Sequence, residues 1–545
     1  MPTEILPIIY PSDGARLGGV DNESSLHNCI PVLRHNNVYA AQPREEITSV
    51  ISSANSDSRG RGVVAWAGQI DLYLDEDTYY YDGGSQDLTA TTGQGYTENS
   101  GFNEEITASF IQFNQAGVDN LVIVNAGHAS TSASAKHGNI WYQSTPSGAV
   151  SSVSDTSVPW NSGDSTAISL VRGGASLDGY LFVGTLNGNI YNCDLDDISS
   201  WSAVSFIAAE READTPIYIG KQKDHVVYIG TRSIEFFYNA SKTNGSPLQR
   251  RPDIYHSVGC LYPNSVVELG DIIYFVGTDS GGKSHVYKLE NFSLTIVSDT
   301  KIDEELQDRM VGNWPDITTL DSINHAVWLS YIPAMGTEGL ILTNDFFFSY
   351  YYHMPSKLWC QWNYDDSVTN KGGMTLSNWL NSFPITSTNG LTAGGTTSRY
   401  QFCNGEVGYF AGGTGNDAMN DLGAANTPEC WMLFPKWDAG TNQRKRINSV
   451  RVLHENWNTT ITTSQDPTNV DIRWHDYDAV PSSSSYSVPS GGYSTGRTVN
   501  LNEGSAATYR CGITRQRQFA LEFLTGHGAI TAIIGLEIDY DILRG

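Results

Sequence analysis

Apolar and polar positions alternate along this chain in a unit that recurs. A turn holding an acidic residue leads into a short apolar strand that ends in Gly-Thr, and a tight turn then gives a second strand. Asp178-Gly179, Tyr180 to Val183 and Gly184-Thr185 followed by Ile190-Tyr191 form one copy. Asp224, Val226 to Ile229 and Gly230-Thr231 followed by Ile234 to Tyr238 form the next. Gly270-Asp271, Ile272 to Val276 and Gly277-Thr278 followed by His285 to Tyr287 form a third. The Gly-Thr pairs stand 46 and 47 residues apart, the length of one four-stranded propeller blade. Two earlier units follow the same grammar at wider intervals: Val63 to Trp66 leads to Gly68, and Leu121 to Val124 leads to Gly127. Their extra residues (89–101, 130–136) are rich in Ser, Thr, Gly and Asn and read as surface loops. A sixth unit runs from His325 to Trp362, and a degraded seventh from Gly373 to Phe410. The pattern predicts an all-β protein: a β-propeller of six to seven blades, with eight as the outer limit.

The flanks differ. Residues 1–58 open with an extended segment punctuated by Pro2, Pro7, Pro11 and Pro31. Pro43 with Ile47, Val50 and Ile51 at helical spacing then predicts a helix. This arm is expected to dock on the platform or on a neighbour. A second helix is expected over Thr300 to Met310, capped by Thr300, with Asp303 in its first turn and Ile302 and Leu306 as its apolar stripe. Beyond Asn426 the repeat stops. Alternating segments (Ile447 to Leu453, Asn469 to Trp474, Ala507 to Cys511, Gln518 to Phe523, Ile530 to Ile538) predict an antiparallel, β-sandwich-like platform. The expected division is an N-terminal arm at 1–58, a propeller at 59–425 and the platform at 426–545.

Composition strengthens the β reading. Gly 53, Tyr 29 and Trp 13 beside 17% charged residues favour strands and turns. The formal net charge is −27, which disfavours a surface made to neutralise phosphates. Residues 425–545 hold eleven Lys and Arg against twelve Asp and Glu, so residues 1–424 carry −26 of that charge. The seven cysteines are scattered and never in a C-x-x-C spacing, which predicts free thiols in a reducing compartment. The N-terminus has no basic stretch followed by an apolar core, so a cytosolic origin is expected.

The chemistry of enzymes is hard to find in this sequence. The nearest approach to a sialidase Asp-box is Ser134 to Trp141, where Lys136 replaces the defining Asp; an ordinary blade turn fits better. Asp194, Asp196 and Asp197, like Asp75, Glu76 and Asp77, could offer oxygen ligands to Ca²⁺ but lack an EF-hand or β-roll glycine pattern, and read as solvated turns. His225 follows Asp224 in a predicted hairpin turn, where exposure to solvent is expected. The run Arg444-Lys445-Arg446 begins a strand of the neutral C-terminal part; it is either a solvated strand end or a contact for an acidic partner. No catalytic, cofactor-binding or metal site is assigned.

The segment from Gly188 to Thr243 resembles the central part of the packaged-DNA stabilisation proteins of short-tailed bacteriophages, also called tail nozzle or tail hub proteins. The marks are Asp196, Trp201, Phe206, Ala209, Glu210 and Asp214, then Gly230, Ser233, Ile234, Glu235, Phe237 and Tyr238, continuing through Gln249-Arg250, Gly259-Cys260 and Gly281-Gly282. The resemblance spans Ser165 to Leu306, with an echo at Arg517 to Ile538, and the N-terminal third departs from it. No catalytic residue belongs to the motif. Trp201, Phe206 and Phe237 are expected to pack the blades, and Glu210 and Glu235 to pair with Arg211 or Arg232 or to lie at an interface.

The resemblance implies a structural protein of the virion tail, assembled in the host cytoplasm. It implies six copies in a ring below the portal and its adaptor, contacting distal needle, fibre or spike proteins. Duplex DNA would pass through without sequence-specific binding, and no cofactor is implied. The alternative from the residues themselves is a carbohydrate-binding or glycan-cleaving propeller that stacks sugars on loop aromatics such as Tyr96 and Trp160.

Overall fold

A computed structural model describes residues 2–7, 25–33, 39–44, 46–51, 62–66, 70–74, 78–81, 88–90, 107–127, 137–145, 150–161, 167–209, 211–212, 214–260, 262–311, 327–333, 336–343, 349–362, 385–388, 400–402, 407–411, 430–435, 437–456, 469–476, 497–500, 511–523 and 531–543. The repeated strands form seven four-stranded antiparallel blades, so the chain is a β-propeller. The first comprises Gly62–Trp66, Ile70–Leu74, Thr78–Tyr81 and Leu88–Ala90. The second comprises Ser109–Gln115, Val118–Ala126, Gly138–Gln143 and Ser151–Ser152. The third comprises Ala175–Leu177, Tyr180–Gly184, Asn189–Asp194 and Asp197–Ala208. The fourth comprises Pro216–Gln222, His225–Gly230, Ile234–Asn239 and Leu248–His256. In the fifth the inner position is shared by Gly259–Cys260 and Val267–Leu269, followed by Ile272–Thr278, Ser284–Glu290 and Ser293–Ile296. The sixth comprises Trp328–Ile332, Gly339–Thr343, Ser349–His353 and Leu358–Gln361.

The seventh blade is completed from the other end of the chain. Ile385–Thr388, Tyr400–Phe402 and Val407–Ala411 supply three strands, and Glu46–Ile51 pairs antiparallel with Val407–Ala411 as the fourth. Its inner strand lies against the inner strands of the sixth and first blades, which closes the ring. The helix expected around Pro43 to Ile51 is therefore a strand. Ile47, Thr48, Val50 and Ile51 are β-branched, and an unpaired blade edge awaits them, so tertiary pairing overrides a helical spacing only a few residues long.

Blade packing explains the apolar runs. The middle strands are covered on both faces by neighbouring blades, so His225–Gly230 is buried throughout. The outer strand Asp197–Ala208 instead mixes buried and exposed positions. Phe113, Val122, Leu181 and Val183 fill the space between the second and third blades. Phe182, Ile190, Ile219 and Tyr228 fill that between the third and fourth, and Ile229, Phe236, Phe275 and Leu289 that between the fourth and fifth. The Gly-Thr pairs end the second strand of blades three to five, as their common spacing requires. Gly68 lies outside the described residues; in sequence it stands between Gly62–Trp66 and Ile70–Leu74, the first and second strands, whereas Gly127 follows a second strand, so the interval between them is out of phase with the repeat.

The helix Thr300–Val311 links blades five and six and buries Ile302 and Leu306. Asp299, rather than Thr300, caps it: Asp299 Oδ1 accepts from Ile302 N at 2.9 Å, the third residue of the first turn.

The C-terminal part forms two sheets with a shared core. One sheet has the order Cys29–Leu33, Tyr39–Pro43, Thr531–Ile542, Lys445–Asn456, Gly512–Thr514, with Thr3–Pro7 also paired to Thr531–Ile542. The other continues the sixth blade without a break. Ser25–His27 pairs parallel with Leu358–Gln361 and antiparallel with Cys430–Leu433, followed by Arg517–Phe523, Asn469–Asp476 and Arg497–Asn500. Ile447, Val450, Leu536 and Ile538 meet Met432, Phe519, Leu521 and Trp362 between them. The strand expected at Ala507 to Cys511 lies mostly outside the described residues, and Gly512–Thr514 is the observed strand there.

Candidate functional site

The motif residues of the third and fourth blades hold turns and blade contacts. Trp201 is buried and donates from Nε1 to Ile198 O at 2.7 Å. Its ring stands edge-on to Trp160, whose own ring meets Tyr191. Trp160 is thus a core residue, which removes it as a platform for sugar stacking. Tyr96 and Glu210 lie outside the described residues. Ile234 and Phe237 are fully buried. Phe206 departs from the packing expectation: it is 39% exposed on the outer strand, with Val204 beside it at 72%. One face of its ring still covers Tyr191 at 5.2 Å. An outermost strand has a neighbour on one side only, and sequence periodicity does not reveal which strand is outermost.

Asp214 organises the turn after the second strand of blade four. Its Oδ2 accepts from Arg232 N at 3.1 Å and Ser233 Oγ at 3.0 Å, and its Oδ1 from Tyr228 OH at 3.3 Å. The carboxylate fills the space where a side chain on Gly230 would project, so Gly230 is required there. Asp196 takes a left-handed turn at φ 54° and donates its N–H to Gly179 O at 2.8 Å. Glu235 is 1% exposed, and its partner is Arg250, a residue neither Arg211 nor Arg232 anticipated. Arg250 Nε lies 2.7 Å from Glu235 Oε2, while Oε1 accepts from Arg211 N at 3.2 Å. Burial raises the Glu235 pKa, and Arg250 opposes the rise.

Toward the propeller centre a second polar cluster joins three blades. Arg172 donates to Thr107 O at 3.1 Å, to Val266 O at 3.0 Å and to Pro263 O, and stacks over Tyr218 at 5.4 Å. Arg172–Gly173 also pairs parallel with the inner strand of blade four. Glu268 accepts from Lys221 N at 3.0 Å. Burial pushes its carboxyl up to about 7, against the opposing pull of that N–H and of Arg172.

His225 is buried, contrary to the expectation of an exposed turn. It begins a strand, its Nε2 lies 3.0 Å from Arg251 Nη1, and its ring is edge-on to Phe292. Burial and then Arg251 lower its pKa. Other His–hydroxyl pairs are equally enclosed: His137 Nδ1 lies 3.1 Å from Ser169 Oγ, and His353 lies 2.6 Å from both Thr337 and Ser356. These contacts tie loops to the blades.

The acidic turns bond to their own hairpins. Asp194 Oδ2 accepts from Ser200 Oγ at 2.7 Å, and Asp197 Oδ1 from Ser199 N and Oγ. Among the described residues no group of three or more His, Cys, Asp or Glu side chains is gathered to hold a metal ion; Asp75 to Asp77 lie outside them. Six cysteines are buried and free, with Cys193 pushed up to about 12 by burial; Cys403 lies outside the described residues.

The basic run divides. Arg444 and Arg446 are exposed, but Lys445 is fully buried. Its ammonium donates to Arg515 O at 2.7 Å and to Thr441 O, near the Trp437 ring. Strand alternation turns the middle residue of the three inward, so Lys445 is unavailable to a partner.

A propeller with structural motif residues is what the sequence resemblance implied. Residues 115–323 match the phage-stabilisation family model described as bacteriophage P22 Gp10, beta-propeller. Over this segment, 209 of the 545 residues, the chain is similar to a phage structural propeller of the Gp10 type. The match spans blades two to five and the helix, the stretch where the Gly-Thr repeat is most regular. No curated protein matches the chain. Among solved structures, the extracellular domain of a hybrid two-component system from B. thetaiotaomicron is similar at a TM-score of 0.38 and 11% identity. That likeness covers 74% of this chain and 43% of that one, so this chain spans less than half the length of that protein. The computationally designed Ika8 protein is similar at 0.37 and 10% identity, covering 67% of this chain and 99% of that one.

Proposed function

We propose that this chain is a tail nozzle subunit of a short-tailed phage. Copies of it, six in number, form a ring below the portal and adaptor that continues the DNA channel, retains the packaged genome and conducts it during ejection. Residues 59–425, with Glu46–Ile51, serve as the propeller, and residues 426–545, with Thr3–Pro7, Cys29–Leu33 and Tyr39–Pro43, as the platform. The observation that carries this reading is the family match over residues 115–323. The charge supports it: −26 on residues 1–424 suits a conduit for DNA, because each neutralised phosphate would add salt-dependent affinity and friction. The burial of Trp160 withdraws support from the sugar-binding alternative.

Imaging of the assembled particle tests the proposal. A ring of this chain beneath the portal, with acidic side chains lining its bore, is expected. A basic bore would overturn the conduit reading, and location of the chain outside the tail would overturn the nozzle itself.

A further inference from the structure

In an antiparallel blade the turns joining strands one to two and three to four all emerge at one end of the propeller. In blades two to five that end displays exposed Asp119, Asp178, Asp194, Asp196, Asp224 and Asp271. The cations there are Lys223, Lys242 and Arg251, the last paired with Asp253 at 2.8 Å. The surface is continuous: Gln115 Nε2 reaches Asp197 Oδ1 at 3.4 Å, Asn239 Nδ2 donates to Asp178 Oδ2 at 2.8 Å, and Lys223 N donates to Asp271 Oδ1 at 3.0 Å. Two large apolar side chains stand among these acids, Val118 and Leu195, 52% and 57% exposed.

The platform carries the complementary surface. Arg446 lies across from Ile513 on the neighbouring strand. Arg444 O accepts from Leu543 N at 2.8 Å, next to Ile542, and Lys445 draws in the turn that bears Arg515. Exposed Arg444, Arg446 and Arg515 thus lie about Ile513, which is 51% exposed on the face of Arg446, whereas Ile542 pairs with Lys445 and belongs to the other face. None of the three arginines has an ion-pair partner among the described residues. Asp541, directly across from Arg446 on Thr531–Ile542, accepts from Asn448 Nδ2 at 3.1 Å. A basic and apolar corner of this kind stands out on a chain of net charge −27.

We infer that this corner docks on the acidic, apolar turn end of the propeller of a second copy. The two surfaces match in kind, cation against carboxylate and aliphatic against aliphatic, and they occupy different parts of the chain. Contact between unlike surfaces is the heterologous type that builds rings, whereas a self-complementary patch stops at a dimer. The inference rests on the ring reading above and adds the surfaces that make the ring.

The test uses the full-length protein. R446K and R515K preserve the charge and introduce amines, so a zero-length carbodiimide will couple them to any carboxylate in direct contact. Cross-links between copies are expected to land on the six aspartates of the turn end. R446E/R515E should raise the concentration for half-assembly about a hundredfold, since like charges brought together at an interface cost several kcal/mol. Assembly should also weaken with salt. Cross-links that map elsewhere in an assembled ring overturn this inference and leave the ring intact. A chain that stays monomeric alone and with its portal adaptor overturns both.

Discussion

Replacing Glu268 by Gln isolates one buried carboxyl at the propeller centre. Its pKa stands at about 7 in the folded chain, against an ordinary value of 4.5. The folded form therefore keeps its proton where the unfolded chain has already lost it. Stability from this group is fully present below about 4.5, falls as pH climbs to about 7, and is constant above. At 1.36 kcal/mol per unit, a rise of about 2.5 units sets a ceiling of about 3 kcal/mol on that loss. Residual solvent contact at Glu268 lowers the figure, so about 2 kcal/mol is the working expectation. Glutamine retains an oxygen for Lys221 N and does not titrate, so E268Q should lack this component. Urea unfolding followed by tryptophan fluorescence, run on both proteins at pH 4.5 and pH 8, measures the difference. The stability of E268Q relative to the parent should rise by about 2 kcal/mol between the two pH values. A constant offset would refute the argument, and a relative fall would show that Arg172 and Lys221 hold the carboxylate charged.

Arg250→Ala leaves Glu235 buried without its cation and should destabilise by about 3–5 kcal/mol, with E235Q in the same chain restoring much of the loss in thermal unfolding. Trp362 is fully buried, stacks on Tyr351 at 4.3 Å and donates to Cys29 O at 3.3 Å. Trp362→Ala should cost about 3–5 kcal/mol and raise protease sensitivity around residues 25–44. Gly173, at φ 96°, sits against Ile219 O with no room for a Cβ, so Gly173→Ala should cost at least about 2 kcal/mol by chemical denaturation. Thr48→Pro removes a donor from the strand that closes blade seven and should lower stability by about 3 kcal/mol, with hydrogen exchange rising first at 400–411.

The repeat was readable because middle strands buried on two faces need unbroken apolar runs, and because Gly-Thr marks the same turn in successive blades. The neutral C-terminal half of the sandwich could be read from alternation alone. Pairings between distant segments could not. Glu46–Ile51 is too short to separate helix from strand until its partner Val407–Ala411 is known, and Ser25–His27 gives no hint that two sheets meet on it. The same limit hid Arg250 as the partner of Glu235, since a cross-strand neighbour depends on a register that shifts at Glu235/Phe237. Lys445 and Phe206 were misplaced for a related reason: alternation gives two faces, and only the neighbouring sheet says which is inside.

Those long-range pairings bear on how the parts move. The segment before residue 52 contributes Thr3–Pro7, Cys29–Leu33 and Tyr39–Pro43 to the platform, Ser25–His27 to the junction and Glu46–Ile51 to the seventh blade. At the junction His27 stacks on Trp431 at 4.9 Å, and burial drives its pKa down to about 3, so it stays neutral across the physiological range. Backbone hydrogen bonds run from blade six through Ser25–His27 into the platform sheet. A hinge there would have to break strand pairing, whereas two domains joined by a linker would only have to slide. Propeller and platform are therefore joined by strand pairing and not by a linker alone. Force applied to either would be carried by a continuous sheet.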